Sequence, residues 1–164
     1  MKNIVLIGMP GAGKSTIGVL LAKSMLYSFV DTDLIIQNSS GKSLCDIIDA
    51  VGTDEFLKIE NDVICGCDFE RSVVATGGSA VYGEQAMAHL AANGIIVYLE
   101  LELGEIERRL GDIHTRGVAM KNGTTVAELY DERRPLYEKY ADVTLSCSGL
   151  TAEQCVDKII ETVK

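Results

Sequence analysis

"GMPGAGKST", residues 8–16, holds Gly8, Gly13, Lys14 and Ser15 in the order G-x-x-x-x-G-K-S. An apolar run, "NIVLIG" (3–8), leads directly into it, and an apolar-periodic stretch over 14–26 follows. Strand, glycine turn and helix in that order form a cradle for phosphate. Glycines let consecutive backbone N–H groups converge on an anion, and the helix N-terminus adds its positive end. Gly11, Ala12, Gly13 and Thr16 fall in this expected cradle, in which Lys14 can reach the β- and γ-phosphates of a nucleotide and Ser15 can ligate Mg²⁺. Three uses of such a site stay open at this point: a small-molecule kinase, a nucleotide-hydrolysing switch or motor, and a nucleotide-binding module without turnover. A guanine-reading switch needs N-K-x-D, which the chain lacks.

Working outward, further short apolar runs recur at "SFVDTD" (28–33), "SVVATGG" (72–78), "GIIVYLE" (94–100) and "ADVTLSC" (141–147). Runs of this length bounded by glycine or polar residues are the mark of buried parallel strands. Helix patterns lie between them, at about 14–26, 43–67, 83–93, 103–110, 124–140 and 151–163, the last opened by Thr151 as N-cap. The alternation predicts a three-layer α/β fold: a five-stranded parallel sheet flanked by helices, in a single domain over 1–164. Ligands of such sheets collect at the carboxyl ends of the strands. "GDIHTRGVAMKNGTT" (111–125) is a long loop of few apolar residues, read as a mobile lid over about 111–123 that carries Arg116.

The 164 residues suffice for one sizeable core. With 24 acidic residues against 15 Lys and Arg, the formal charge of −9 disfavours nucleic acid and anionic membrane surfaces as partners. No apolar run is long enough to span a bilayer, so a cytoplasmic monomer acting on small molecules is expected. The five cysteines lack the paired spacing of a zinc site and read as reduced thiols.

Two features at strand ends carry chemistry. "DTD" puts Asp31 and Asp33 two residues apart, which in an extended chain places both carboxylates on one face. Beside the phosphate loop, one can assist Mg²⁺ while the other orients an acceptor hydroxyl and takes its proton. In "VVATGGSA" a buried run ends in Gly77 and Gly78, which permit either a close backbone approach to a ligand or a simple tight turn. Arginine suits phosphate and carboxylate through its planar fork, and Arg108, Arg109, Arg116, Arg133 and Arg134 fall in the C-terminal half.

Together, "GMPGAGKST", "FVDTD", "GKSLCDII", "EFLKIE", "VVATGGSA", "IIVYLE", "ERRL" and "RRPLYEKYAD" resemble the shikimate kinase family of P-loop proteins, in order and across nearly the whole chain. The resemblance implies transfer of the ATP γ-phosphate to a hydroxyl of shikimate beneath a closing lid, with ATP and Mg²⁺ as cofactors. By it, Lys14, Asp33 and Arg116 are catalytic, Ser15 and Asp31 serve the metal, and Arg109 and Arg116 cover the nucleotide. Asp33, Leu57, Glu60, Gly77, Gly78, Ser79 and Arg133 fall at acceptor-binding positions, with Arg133 holding the carboxylate and a helical region over about 33–62 forming that side.

Three departures stand out. The family's lid reads Arg-Pro-Leu, whereas Arg116 is followed by Gly117-Val118; its triple glycine is Gly77-Gly78-Ser79; and the arginine that shares the substrate carboxylate is Leu57. Leu57 and Glu60 are three apart on a helix, so Glu60 is left without that partner, and Lys58 points about 100° away. Two carboxylates and one arginine also suit a hydroxy amino acid such as homoserine, so a homoserine kinase and a non-catalytic nucleotide-binding protein stand as alternatives to shikimate kinase.

Overall fold

The computed structural model describes residues 1–111 and 117–164. Five parallel strands form one sheet: β1 (Asn3–Ile7), β2 (Ser28–Asp31), β3 (Ser72–Ala75), β4 (Gly94–Glu100) and β5 (Val143–Ser146), in the spatial order β2-β3-β1-β4-β5. The helices are α1 (Lys14–Met25), α2 (Thr32–Ser40), α3 (Leu44–Val51), α4 (Thr53–Cys65), α5 (Glu84–Ala92), α6 (Leu103–Leu110), α7 (Val126–Tyr140) and α8 (Ala152–Val163). The fold is the expected P-loop α/β architecture, and each predicted apolar run contains its strand.

The burial pattern explains the order. Every residue of β1 and β3 is buried, as befits strands covered on both faces, whereas edge strand β5 alternates between half-buried and exposed positions. The chain leaves β1 for the β2–β3 side and later crosses to β4 on the other, so β1 marks the switch point of the sheet. A crevice at its carboxyl end follows from that reversal. Capping boxes start α7 (Thr125 with Glu128) and α8 (Thr151 with Gln154), the second at the N-cap expected from sequence.

Two local expectations are corrected. The helix anticipated over 43–67 is two helices, α3 and α4, parted at Gly52, whose φ of +85° belongs to the left-handed region where glycine is free of Cβ strain. α2 was absent from the expected set, because "SFVDTD" read as strand to residue 33. The strand instead ends at Asp31, whose carboxylate accepts the Asp33 N–H at 3.0 Å and caps a new helix. A short polar side chain that bonds the backbone two residues on is a helix start that alternation does not reveal.

Helices α2 to α4 enclose a core of their own, separate from that under the sheet: Ile36, Leu44, Ile47 and Phe56, closed by Ala119 from the segment after the undescribed residues. This satellite core sets α2 and α4 beside the crevice. Among the described residues no helix is long and apolar enough to cross a membrane.

Candidate active site

The crevice is a cavity of about 600 Å³ lined by Gly11, Gly13, Lys14, Ser15 and Thr16 from the phosphate loop, by Asp33, by Thr76 to Ser79 after β3, by Arg109, by 117–119, and by Arg133. The loop sits where β1 meets α1. Gly13, the N-cap of α1, has φ +92°, a conformation that leaves the helix N-terminus open toward an anion. Lys14 folds onto the loop: its Nζ donates to the carbonyls of Gly8 at 2.7 Å and Met9 at 2.8 Å. Burial lowers its pKa to about 8, against the opposing pull of the Asp33 carboxylate.

Asp31 and Asp33 part ways, contrary to the shared face expected of a strand. Asp31 closes β2 and accepts the Ser15 hydroxyl at 2.9 Å, while Asp33 stands in the first turn of α2 and lines the cavity. Burial raises the Asp33 carboxyl to about 6, with the Asp31 charge adding to the rise and Lys14 opposing it. The divergence assigns them different neighbours: one faces the hydroxyl that would ligate a metal, the other faces the cavity.

Gly77 and Gly78 are explained by close approach, but of protein side chains. A Cβ on Gly77 would stand 2.6 Å from Asp33 Oδ1 and 2.7 Å from Glu60 Oε2; one on Gly78 would meet Pro10 Cδ at 2.8 Å and Arg133 Nη1 at 2.9 Å. The turn is thus the wall against which both carboxylates and the guanidinium pack. Glu60, on α4, is 1% exposed; its Oε1 accepts the Ser79 hydroxyl at 2.6 Å. Burial drives its pKa up to about 7, with the Ser79 hydrogen bond working against the rise.

Arg133 is fully buried on α7. Its Nη2 donates to the Ala119 carbonyl at 2.7 Å, and its Cζ lies 5.4 Å from the centre of the Tyr82 ring. Glu60 Oε2, Arg133 Nε and Arg133 Nη1 are buried without a hydrogen-bond partner among the described residues. Unmet buried donors and acceptors beside a cavity are the residue of a site shaped for something else to bind.

The other predicted residues fall variously. Arg109 lies over the phosphate loop, donating to the Gly11 carbonyl at 3.1 Å and pairing with Glu105 at 2.6 Å. Arg134 pairs with Glu100 and Glu138 on the surface. Arg116 lies outside the described residues. Leu57 differs from expectation: Phe56 lines the cavity, whereas Leu57 faces an adjoining groove with Lys58, Asn61 and Tyr82, and packs against the satellite core. Lys58 pairs with Glu55 at the surface, 3.6 Å away, turned from Glu60.

Sequence reasoning missed several supports. Tyr137 donates to the Gly78 carbonyl at 2.6 Å, Thr32 Oγ1 accepts the Gly77 N–H at 3.3 Å, and Tyr82 underlies Arg133. Tyr137 was within reach, because it stands four residues after Arg133 and so shares its helical face. Thr32 and Tyr82 carry no comparable local signal.

Residues 10–164 match the profile of the family described as shikimate kinase. Over 164 residues the chain is 37% identical to the shikimate kinase of Thermodesulfovibrio yellowstonii, covering 98% of this chain and 94% of that one. It is 34% identical over 166 residues to human threonine synthase-like 1, covering 99% of this chain and 22% of that protein. Among solved structures, the shikimate kinase from Acinetobacter baumannii in complex with shikimate superposes with a TM-score of 0.89 at 27% identity, covering 99% of this chain and 93% of that one. Motif, sheet order, site geometry and these likenesses agree, and the chain belongs to the shikimate kinase family.

Proposed function

We propose that this chain transfers the γ-phosphate of ATP to a hydroxyl of shikimate. The observation that carries the reading is one cavity in which the phosphate loop, the Asp33 carboxylate and the buried, incompletely partnered Arg133 guanidinium meet. ATP phosphates draw Lys14 Nζ away from the Gly8 and Met9 carbonyls, because an ammonium bonds an anionic oxygen more strongly than a neutral carbonyl oxygen. Asp33 accepts the proton of the attacking hydroxyl; a carboxyl raised to about 6 is better matched to that task than an ordinary aspartate. Arg133 binds the acceptor carboxylate and fixes its register against the loop. Residues 117–119 help to keep water from the transferred group.

Mg²⁺ fits the oxygen pair of Ser15 and Asp31, since a hard cation takes a hydroxyl and one or two carboxylates together with substrate phosphates. When bound, it neutralises charge on the β- and γ-phosphates.

The test is ADP release from ATP and Mg²⁺ with and without shikimate, with the phosphorylated product identified by ³¹P NMR. A shikimate-dependent rate at least about 10-fold above the acceptor-free rate is expected, given how strongly positioning accelerates transfer. ATP binding with equal ADP release in both mixtures would defeat the reading.

A further inference from the structure

We infer that the acceptor site also phosphorylates a hydroxy amino acid, with Ser79 and the buried Glu60 behind it forming a receptor for the ammonium group. The inference rests on the kinase reading above and adds a substrate class to the same cavity.

Glu60 is 1% exposed, and none of the ion pairs among the described residues includes it. Position 57, one turn earlier on α4, is the apolar Leu57, and Lys58 is engaged with Glu55 at the surface. A carboxylate so enclosed needs either a proton or a cation nearby. Its link to the cavity is Ser79, which lines the cavity and donates its hydroxyl proton to Glu60 Oε1 at 2.6 Å. With that proton committed, Ser79 Oγ offers lone pairs to the cavity, backed by the Glu60 charge. The arrangement favours a cationic N–H donor over a neutral one.

Charge counting over the acceptor end points the same way. When ATP engages Lys14, there remain the acids Asp33 and Glu60 against the one cation Arg133, two negative groups and one positive above the pH of about 7 at which Glu60 ionises. Shikimate adds a second unbalanced negative charge. A zwitterion adds none and gives each group one partner: carboxylate to Arg133, ammonium to Ser79 and Glu60, hydroxyl to Asp33. The reaction balances without a further reagent. The hydroxyl oxygen bonds to the γ-phosphorus, the bond to the β,γ-bridging oxygen breaks, the hydroxyl proton passes to Asp33, and ADP leaves.

The experiment compares L-homoserine with 4-hydroxybutyrate, which lacks only the ammonium, and with shikimate, all in the full chain with ATP and Mg²⁺. Phosphorylation of homoserine is expected, with kcat/KM about 10- to 100-fold above that of 4-hydroxybutyrate, the range of one charge-assisted hydrogen bond. Ser79→Ala and Glu60→Gln should each cut that ratio by about 10-fold. Leu57→Arg, a change at a partly exposed site that supplies Glu60 with a counter-charge three residues away, should cut it too and shift preference toward shikimate. Turnover of shikimate without homoserine, or equal use of homoserine and 4-hydroxybutyrate, overturns the inference and leaves the kinase reading standing. Turnover of neither acceptor by a chain that binds ATP overturns both.

Discussion

The two ends of the cavity are built in different ways. The proposed donor end centres on one continuous stretch, residues 8–16, which offers backbone N–H groups and Lys14 at a helix N-terminus. The proposed acceptor end gathers Asp33 from α2, Glu60 from α4, Gly77 to Ser79 from the turn after β3, and Arg133 with Tyr137 from α7. Apart from the Gly77 and Gly78 backbone its groups are side chains, two of them, Glu60 and Arg133, buried and ionisable. A backbone cradle depends on local geometry and changes little with its neighbours, whereas an assembled pocket alters its selectivity through single substitutions in any of its parts.

The contrast predicts unequal effects. Lys14→Met removes the lysine that the proposed function assigns to the γ-phosphate, and kcat should fall about 1,000-fold, the order of about 4 kcal/mol of transition-state stabilisation, whichever acceptor is offered. A loss below 10-fold, or one confined to a single acceptor, would break the division between the ends.

A smaller effect lies in stability. The Glu60 carboxyl is raised from 4.5 to about 7 and that of Asp33 from 3.8 to about 6, chiefly by burial. The ligand-free folded state therefore holds more protons than the unfolded chain between about pH 4 and 7, so stability is greatest below the unfolded values and is lost as pH rises through the folded ones. Urea unfolding at pH 5 and pH 8 should show the decline, with Glu60 accounting for on the order of 3 kcal/mol. Glu60→Gln should flatten the profile and make the ligand-free protein more stable at pH 8. Stability that climbs from pH 5 to pH 8 would mean that the acceptor end is already charge-compensated.

Legibility in the sequence follows the same division. The phosphate loop could be read outright, because its residues are contiguous and its flanks announce strand and helix; so could the five strands, from their apolar runs. The carboxylate pair could be located but not oriented, since the Asp31 cap that turns the chain into α2 is a side-chain hydrogen bond with no periodic trace. The resemblance implies an arginine-type acceptor position at Leu57, whereas the side chain faces the adjoining groove, a placement that depends on how α4 rotates over the satellite core. The Ser79–Glu60 bond joins residues 19 apart in sequence, and such contacts become visible only once α4 and the turn after β3 are packed together.

The division is tested most directly by initial rates over a grid of ATP and acceptor concentrations for Arg133→Met. Loss of the buried guanidinium should raise the acceptor KM about 10- to 100-fold, as expected for removing a charge-assisted carboxylate contact, and leave the ATP KM within about 3-fold. A parallel rise in both constants, or an unchanged acceptor KM, would contradict a donor end and an acceptor end that bind their substrates through separate sets of residues.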